Sequence, residues 1–181
     1  MKYLTVIQAR SSSSRLPGKS LMLVGGMPLV QLCAVRAKNP FSQVLVATSN
    51  DVSDDELTTI LLAAQINVFR GGLNNVLSRF VDVIDAYEFK DDDTIIRLTG
   101  DNPIVDGTFL EILRRAWERL DLDYLSAEPL DMKNSTWPKG LSAEFISVGG
   151  LRASYIADKT AYNLEHVTPF IRSNSVIKAF G

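Results

Sequence analysis

The sequence predicts an α/β protein, a sheet with amphipathic helices on both faces. Two observations carry that reading. Short runs rich in β-branched residues, at positions 3–7, 43–47 and 94–98, alternate with longer stretches whose apolar residues recur at helical spacing. Two of these strand-like runs also end in polar, turn-rich loops, at 8–19 and 99–103. In open α/β sheets ligands bind beyond the carboxyl ends of strands, where strand order reverses.

The elements follow in order. Residues 3–7 form the first strand. Residues 28–38 read as a helix, with Pro28 in its first turn, where a missing N–H costs little. Residues 43–47 are the second strand. Ser53 with Glu56 has the spacing of a capping box, flanked by Val52 and Leu57 as a hydrophobic staple, so a helix is expected to about Gln65. A short strand follows at 66–69. Asn74 or Asn75 then caps a helix that places Val76, Phe80, Val83, Ile84 and Tyr87 on one face. Asp91, Asp92 and Asp93 read as a solvated turn before the strand at 94–98. A helix over 107–120 buries Phe109, Leu113, Trp117 and Leu120. Residues 123–126 and 142–147 read as strands, and 150–157 and 162–172 as helices. Between them, 128–141 is irregular, broken by Pro129, Pro138 and Gly140. Residues 174–181 are too few to assign.

With 181 residues, 46% of them hydrophobic and 22% charged, the chain has the size and composition of one globular domain. A formal charge of −2 excludes a nucleic-acid binder driven by net charge. No apolar run approaches the roughly 20 residues that span a bilayer, and Met1-Lys2 leads straight into the first strand, so the expected location is the cytoplasm. Cys33 is the single cysteine, which leaves no intrachain disulfide and no cysteine cluster for zinc. Its neighbours Leu29, Leu32 and Val35 suggest a buried thiol.

The loop after the first strand runs Gln8, Ala9, Arg10, four serines at 11–14, Arg15, Leu16, Pro17, Gly18 and Lys19. Guanidinium forks and backbone N–H groups both donate to phosphate oxygens, so such a loop suits a polyphosphate; the alternative is a solvated loop with incidental basic residues. It is not a Walker A loop, whose first glycine would fall at Ser13, and no G-x-G-x-x-G follows the strand. The second loop carries Asp101 between Gly100 and Asn102-Pro103. A carboxylate there can hold Mg²⁺ or merely cap a turn. Glu144 lies in a strand-like apolar context, which calls for a partner, and is the candidate second carboxylate. Asp106 reads as a helix N-cap. His166 is the single histidine, preceded by Glu165, and reads either as a binding residue or as a helix anchor. Arg70 and Arg79 flank the Gly71-Gly72 turn.

Gln8-Ala9-Arg10, then Ser14-Arg15-Leu16-Pro17-Gly18-Lys19 and Leu21, resembles the signature loop of sugar-activating cytidylyltransferases. Within that group the chain is most similar to the spore-coat polysaccharide (SpsF-like) branch, related to the acylneuraminate cytidylyltransferases. Further stretches agree in order: VATS at 46–49, Phe69-Arg70-Gly71, VLSRF at 76–80, RLTGDNP at 97–103 and EHVTP at 165–169. The resemblance covers residues 1 to about 172. It implies a three-layer α/β/α nucleotidyltransferase fold, Rossmann-like and GT-A-like, with a mixed, mostly parallel sheet. The implied reaction is transfer of CMP from CTP to a sugar or sugar acid, with release of pyrophosphate, for surface polysaccharide synthesis. Arg10, Arg15 and Lys19 would then hold the β- and γ-phosphates, and Gln8, Ala9, Ser14, Thr99 and Gly100 would contact the nucleotide. Asp101, with Glu144, would hold Mg²⁺, while Arg70, Arg79, Glu165 and His166 would lie on the sugar side. A homodimer is expected by the same route, with neither nucleic acid nor membrane as partner. Relatives continue well beyond this length, so the chain is expected to lack their C-terminal elements. It also departs from the pattern in having Asn75 where relatives more often carry Asp, and serines where many carry glycine. Three readings compete: a nucleotide-sugar-dependent glycosyltransferase, a non-catalytic nucleotide-binding module, and a different α/β phosphate-handling enzyme. The D-x-D spelling of the first occurs at 91–93 and 121–123, but neither follows a clear strand.

Overall fold

The computed structural model describes residues 1–12, 16–128, 136–138, 140–174 and 179–180. Its central sheet contains β1 (Tyr3–Gln8), β4 (Gln43–Ser49), β5 (Asn67–Gly71), β6 (Thr94–Thr99), β7 (Tyr124–Ser126), β8 (Glu144–Ser147) and β9 (Ala179–Phe180). The strand order is β5-β4-β1-β6-β8-β7-β9. β8 runs antiparallel to both β6 and β7; the remaining pairs are parallel. The sheet is therefore mixed and mostly parallel, as expected.

β1 is central because it is apolar on both faces, the mark of a strand covered twice. Leu4 and Val6 pack against Leu77, Phe80, Val83 and Ile84 of α3 (Val76–Ala86). Ile7 faces the opposite layer, with Val30, Cys33 and Ala34 of α1 (Leu29–Arg36). Cys33 is buried, and burial pushes its thiol up to about 11, which keeps it protonated and inert. From β1 the chain builds β4 and β5 on one side and then crosses back to lay β6 on the other. The ends of β1 and β6 thus flank the point where strand order reverses.

Several element boundaries differ from the sequence reading. Residues 23–24 and 27–28 form a small hairpin, β2 (Leu23–Val24) with β3 (Met27–Pro28), which two-residue strands do not announce in sequence. Ser53 does not open a capping box. Asp51 accepts from the Ser53 N–H at 2.9 Å, a 3₁₀ turn covers Val52–Asp54, and α2 runs Asp55–Ala63. Asn75 caps α3 by accepting from Ser78 N–H at 2.8 Å, and Asp106 caps α4 (Gly107–Trp117) through Phe109 N–H at 2.9 Å. α4 stops before Leu120, which is exposed; it buries Trp117 as expected and Leu110 besides, with Phe109 and Leu113 half-buried against the same core. Asp93 is not a solvated residue: it is buried and accepts from the N–H groups of Lys2 and Lys90.

α5 spans Val148–Ala157. The single helix expected over 162–172 is two, α6 (Ala161–His166) and α7 (Pro169–Ser173); Pro169, which has no N–H to continue the ladder, stands in the first turn of the second. The chain turns at Val167, whose φ of 72° and ψ of −48° belong to a γ-turn closed by Thr168 N–H to the His166 carbonyl at 2.8 Å. For a β-branched residue this conformation costs about 1–3 kcal/mol. The Val167 side chain is fully buried against α3 and α5.

Gly107 opens α4 where a side chain has no room, since a Cβ there would stand 2.2 Å from the Lys38 carbonyl oxygen. Gly107→Ala is expected to cost about 1–3 kcal/mol through overpacking against backbone, read as a lower urea midpoint with an unchanged slope.

Candidate active site

The loops after β1 and β6 meet over the carboxyl edge of the sheet. The parallel register pairs Gln8 with Thr99, and Gly100 N–H donates to the Gln8 carbonyl at 2.9 Å. A Cβ on Gly100 would lie 2.8 Å from Ala9 Cβ, so the close approach of the two loops requires glycine here. The meeting leaves a cavity of about 240 Å³. From the first loop it is lined by Gln8, Ala9, Arg10, Lys19 and Ser20, from the second by Thr99, Gly100 and Asp101. Val76 and Arg79 of α3, with Glu165 and His166 of α6, close the remaining wall.

Hydrogen bonds fix the first loop at both ends. Ser11 N–H donates to Asp54 Oδ1 at 2.6 Å, and the Ser20 hydroxyl donates to the Arg10 carbonyl at 3.0 Å. Gly18, at φ 72°, donates its N–H to the Ser11 carbonyl at 2.9 Å. Asp54 is wholly buried and also accepts from Ser49 N–H at 3.0 Å and from the Ser49 hydroxyl. Its burial favours the neutral acid, but those donors outweigh it and hold the carboxyl below its usual range.

Lys19 Nζ reaches across the cavity to Asp101 Oδ2 at 2.7 Å, and the Thr99 hydroxyl donates to Asp101 Oδ1 at 2.7 Å. Burial raises the Asp101 pKa; the Lys19 ammonium and the Thr99 hydroxyl more than reverse this, so it is ionised at neutral pH. Arg10 faces Glu165 at 3.4 Å. Arg79, 1% exposed, donates to the carbonyls of Ala47, Gly72 and Leu73, while its Nε is buried without a partner among the described residues. Its burial lowers its pKa, and no carboxylate pairs with it among the described residues. Three cations, Arg10, Lys19 and Arg79, are thus among the walls of the cavity.

Ten of the residues singled out in the sequence come together here: Gln8, Ala9, Arg10, Lys19, Arg79, Thr99, Gly100, Asp101, Glu165 and His166. Ser14 and Arg15 lie outside the described residues, as does most of the irregular 128–141 stretch. Arg70 is not in the cavity wall. It donates to the Ser49 and Asp51 carbonyls at 2.9 Å each and pairs with Asp55 at 2.7 Å, bracing the turn after β4.

Glu144 also stands apart from Asp101. Its position in β8 is opposite Arg97 of β6, with which it forms a buried ion pair. Tyr124 OH donates to its Oε1 at 2.5 Å, and the Thr168 hydroxyl donates to the same oxygen at 2.9 Å. Full burial pushes its pKa up, and the Arg97 charge with these donors brings it below the ordinary value. Both of its oxygens are committed to protein partners, which does not favour Glu144 as second metal ligand. Arg97 Nε continues the chain to Gln8 Oε1 at 2.9 Å. This network, and Asp54, are what the sequence reading missed; a charged residue in each of two otherwise apolar strands was the signal for the former.

A second cavity, of about 660 Å³, opens on the other side of His166. Arg97, Glu144, Ser142, Tyr162, Thr168 and Arg172 are among its walls.

A mostly parallel sheet with a basic loop facing an aspartate across its switch point is an arrangement suited to a nucleotide phosphate. Comparison with known proteins gives the family. Residues 4–179 match the family model described as "Cytidylyltransferase", and the chain belongs to that family. It is 34% identical to the spore coat polysaccharide biosynthesis protein SpsF of Bacillus subtilis, over 96% of this chain and 71% of that protein. It is 36% identical to the 3-deoxy-manno-octulosonate cytidylyltransferase of Pectobacterium carotovorum, over 66% of this chain and 46% of that one. A solved cytidylyltransferase from Leptospira borgpetersenii superposes with a TM-score of 0.88 at 28% identity, covering 99% of this chain and 75% of the other.

Glu144→Gln strands a buried guanidinium and is expected to cost about 3–5 kcal/mol at pH 7, whereas Arg97→Met combined with Glu144→Leu costs much less than the two single changes together. Because folding lowers the Glu144 pKa, its contribution is complete above the unfolded value of about 4.3 and is lost as acid titrates the folded group below it. Urea denaturation should therefore show the gap between wild type and Glu144→Gln narrowing as the pH falls below about 4.

Proposed function

We propose that the protein transfers CMP from CTP to a hydroxyl of a sugar or sugar acid, releasing pyrophosphate, as a step in surface polysaccharide synthesis. The observation that carries the reading is the Lys19–Asp101 contact across the cavity at the sheet's switch point. The relatives that share the family are named for cytidylyl transfer and for polysaccharide synthesis.

The acceptor hydroxyl attacks the α-phosphorus of CTP in line and gives up its proton to solvent, the bond between the α-phosphorus and its bridging oxygen breaks, and pyrophosphate leaves. Positioning and neutralisation of charge dominate such chemistry. Arg10 and Lys19, with Arg15 of the same loop, are assigned to the β- and γ-phosphates, and they stabilise the charge that grows on the leaving pyrophosphate. Lys19 exchanges Asp101 for phosphate, which frees the Asp101 carboxylate.

The donor set fits magnesium of a particular kind. No group of three His, Cys, Asp or Glu side chains among the described residues could hold a metal. Mg²⁺ needs none when it arrives with a triphosphate, since one or two carboxylates, phosphate oxygens and waters complete its shell. Asp101, with the Thr99 hydroxyl beside it, is the group assigned to hold it. When bound, the ion neutralises the phosphate oxygens as charge develops.

The larger cavity is assigned to the acceptor. Arg172, in its wall, has no ion-pair partner among the described residues and suits a carboxylate, as in a sugar acid. His166 lies at the junction of the two cavities and Glu165 in the wall of the first, and a binding role is assigned to both. No helix among the described residues is long and apolar enough to cross a membrane. A cytoplasmic location and a homodimeric state are part of the proposal.

Pyrophosphate release from CTP, Mg²⁺ and a panel of acidic sugars tests the reading, and it should exceed release with UTP, ATP or GTP. Free nucleoside diphosphate formed from a nucleotide-sugar would point to a glycosyltransferase instead, and nucleotide binding without turnover to a regulatory module. Lys19→Ala is expected to lower kcat/KM by about 10²–10³. A Lys19→Ala rate within a few-fold of wild type would remove Lys19 from the phosphate site.

A further inference from the structure

His166 is the one residue of α6 or α7 that lines both cavities. Its imidazole makes no side-chain hydrogen bond among the described residues; it is exposed, and its nearest ring is Tyr162, one turn earlier on the same helix, at 4.5 Å. The place of His166 is therefore set by the backbone on either side of it. Before it lies the last turn of α6, closed by Val167 N–H to the Asn163 carbonyl at 2.9 Å. After it lies the γ-turn at Val167, where a β-branched residue is held at a φ it rarely adopts.

A turn of this kind persists only where its surroundings over-determine it. Asn163, itself fully buried, accepts from Phe170 N–H at 3.1 Å and so spans the turn from α6 to α7. From the turn into the sheet the side-chain tie is Thr168, 3% exposed, whose hydroxyl donates to Glu144 Oε1 at 2.9 Å. The other Glu144 oxygen holds Arg97, and Arg97 holds Gln8, a wall of the first cavity. The buried carboxylate is thus the fixed point that relates the γ-turn to the loop end at β1.

We infer that Thr168, by donating to the buried Glu144 carboxylate, is a positioning residue that holds the γ-turn at Val167 and so fixes His166 as the shared wall of the two cavities. The inference rests on the nucleotide reading of the first cavity for its functional consequence, and on the turn alone for its structural one. Without the hydroxyl, the turn can relax toward ordinary backbone and swing His166 away from the junction. Loss of a hydrogen bond to a charged acceptor favours the released turn by about tenfold.

The chain has one histidine, so the imidazole resonances in a carbon–proton NMR correlation spectrum report His166 alone. In the wild type CTP with Mg²⁺ is expected to shift them. In Thr168→Val they should move toward the position of free histidine, and the CTP-induced shift should shrink, with the melting temperature still marking a folded protein. Thr168→Ser, which restores the hydroxyl, should restore both. Thr168→Ala carries the same expectation should valine prevent folding. Imidazole resonances in the folded Thr168→Val or Thr168→Ala variant that superimpose on the wild type, with the CTP response intact, would overturn the inference. A wild type whose imidazole and melting temperature ignore CTP would overturn the nucleotide assignment instead, while the ligand-free spectra still decide whether Thr168 sets the turn.

Discussion

The parallel pairing of β1 with β6 is the constraint on which the rest of the molecule depends. Six consecutive residues of each strand are in register, ending at Gln8 beside Thr99, so the two loops that follow leave the sheet side by side. Neither loop could form half of a cavity if β6 had been laid beyond β5, on the outer edge. The crossover that returns the chain to the far side of β1 brings residues about ninety positions apart into contact, and Gly100 lets them approach. Both faces of β1 must be covered for this to hold, which explains its unbroken apolar run and the two helical layers packed on it.

Charge in the site is arranged in pairs that can be exchanged. Lys19 with Asp101 and Arg10 with Glu165 are half-exposed contacts, and such pairs contribute little to stability. Each leaves its members free to take a new partner at small cost. Arg97 with Glu144 is the opposite case, a buried pair with every oxygen committed, and removing either partner leaves an uncompensated charge. One kind of pair suits a group that must meet a ligand, the other a group that must not move.

Much of this was legible in the sequence, and the failures have physical causes. The basic loop and Asp101 were readable because each directly follows an apolar run, so chemistry and position lie together in the chain. The resemblance puts Arg70 and Arg79 together on the sugar side, and both flank the same glycine turn; only the third dimension separates Arg70, which braces the turn after β4, from Arg79 in the cavity wall. Glu144 was correctly read as needing a partner, but the partner is set by strand register, which no local pattern specifies. Asp54 was hidden inside an apparent capping box, since its hydrogen bonds go to residues 5 and 43 positions away. The break between α6 and α7 was written in Pro169 and passed over in favour of the apolar spacing around it.

Lys19 and Asp101 are 82 residues apart in the chain, and no short-range element contains both. Closing a loop of that length carries an entropic cost that a local contact does not. A partly folded chain with β1, β4 and β5 assembled but β6 still loose would own a basic loop and nothing opposite it. The cavity is thus complete only when both loops are in place, and any ligand that binds only the folded chain stabilises that finished state.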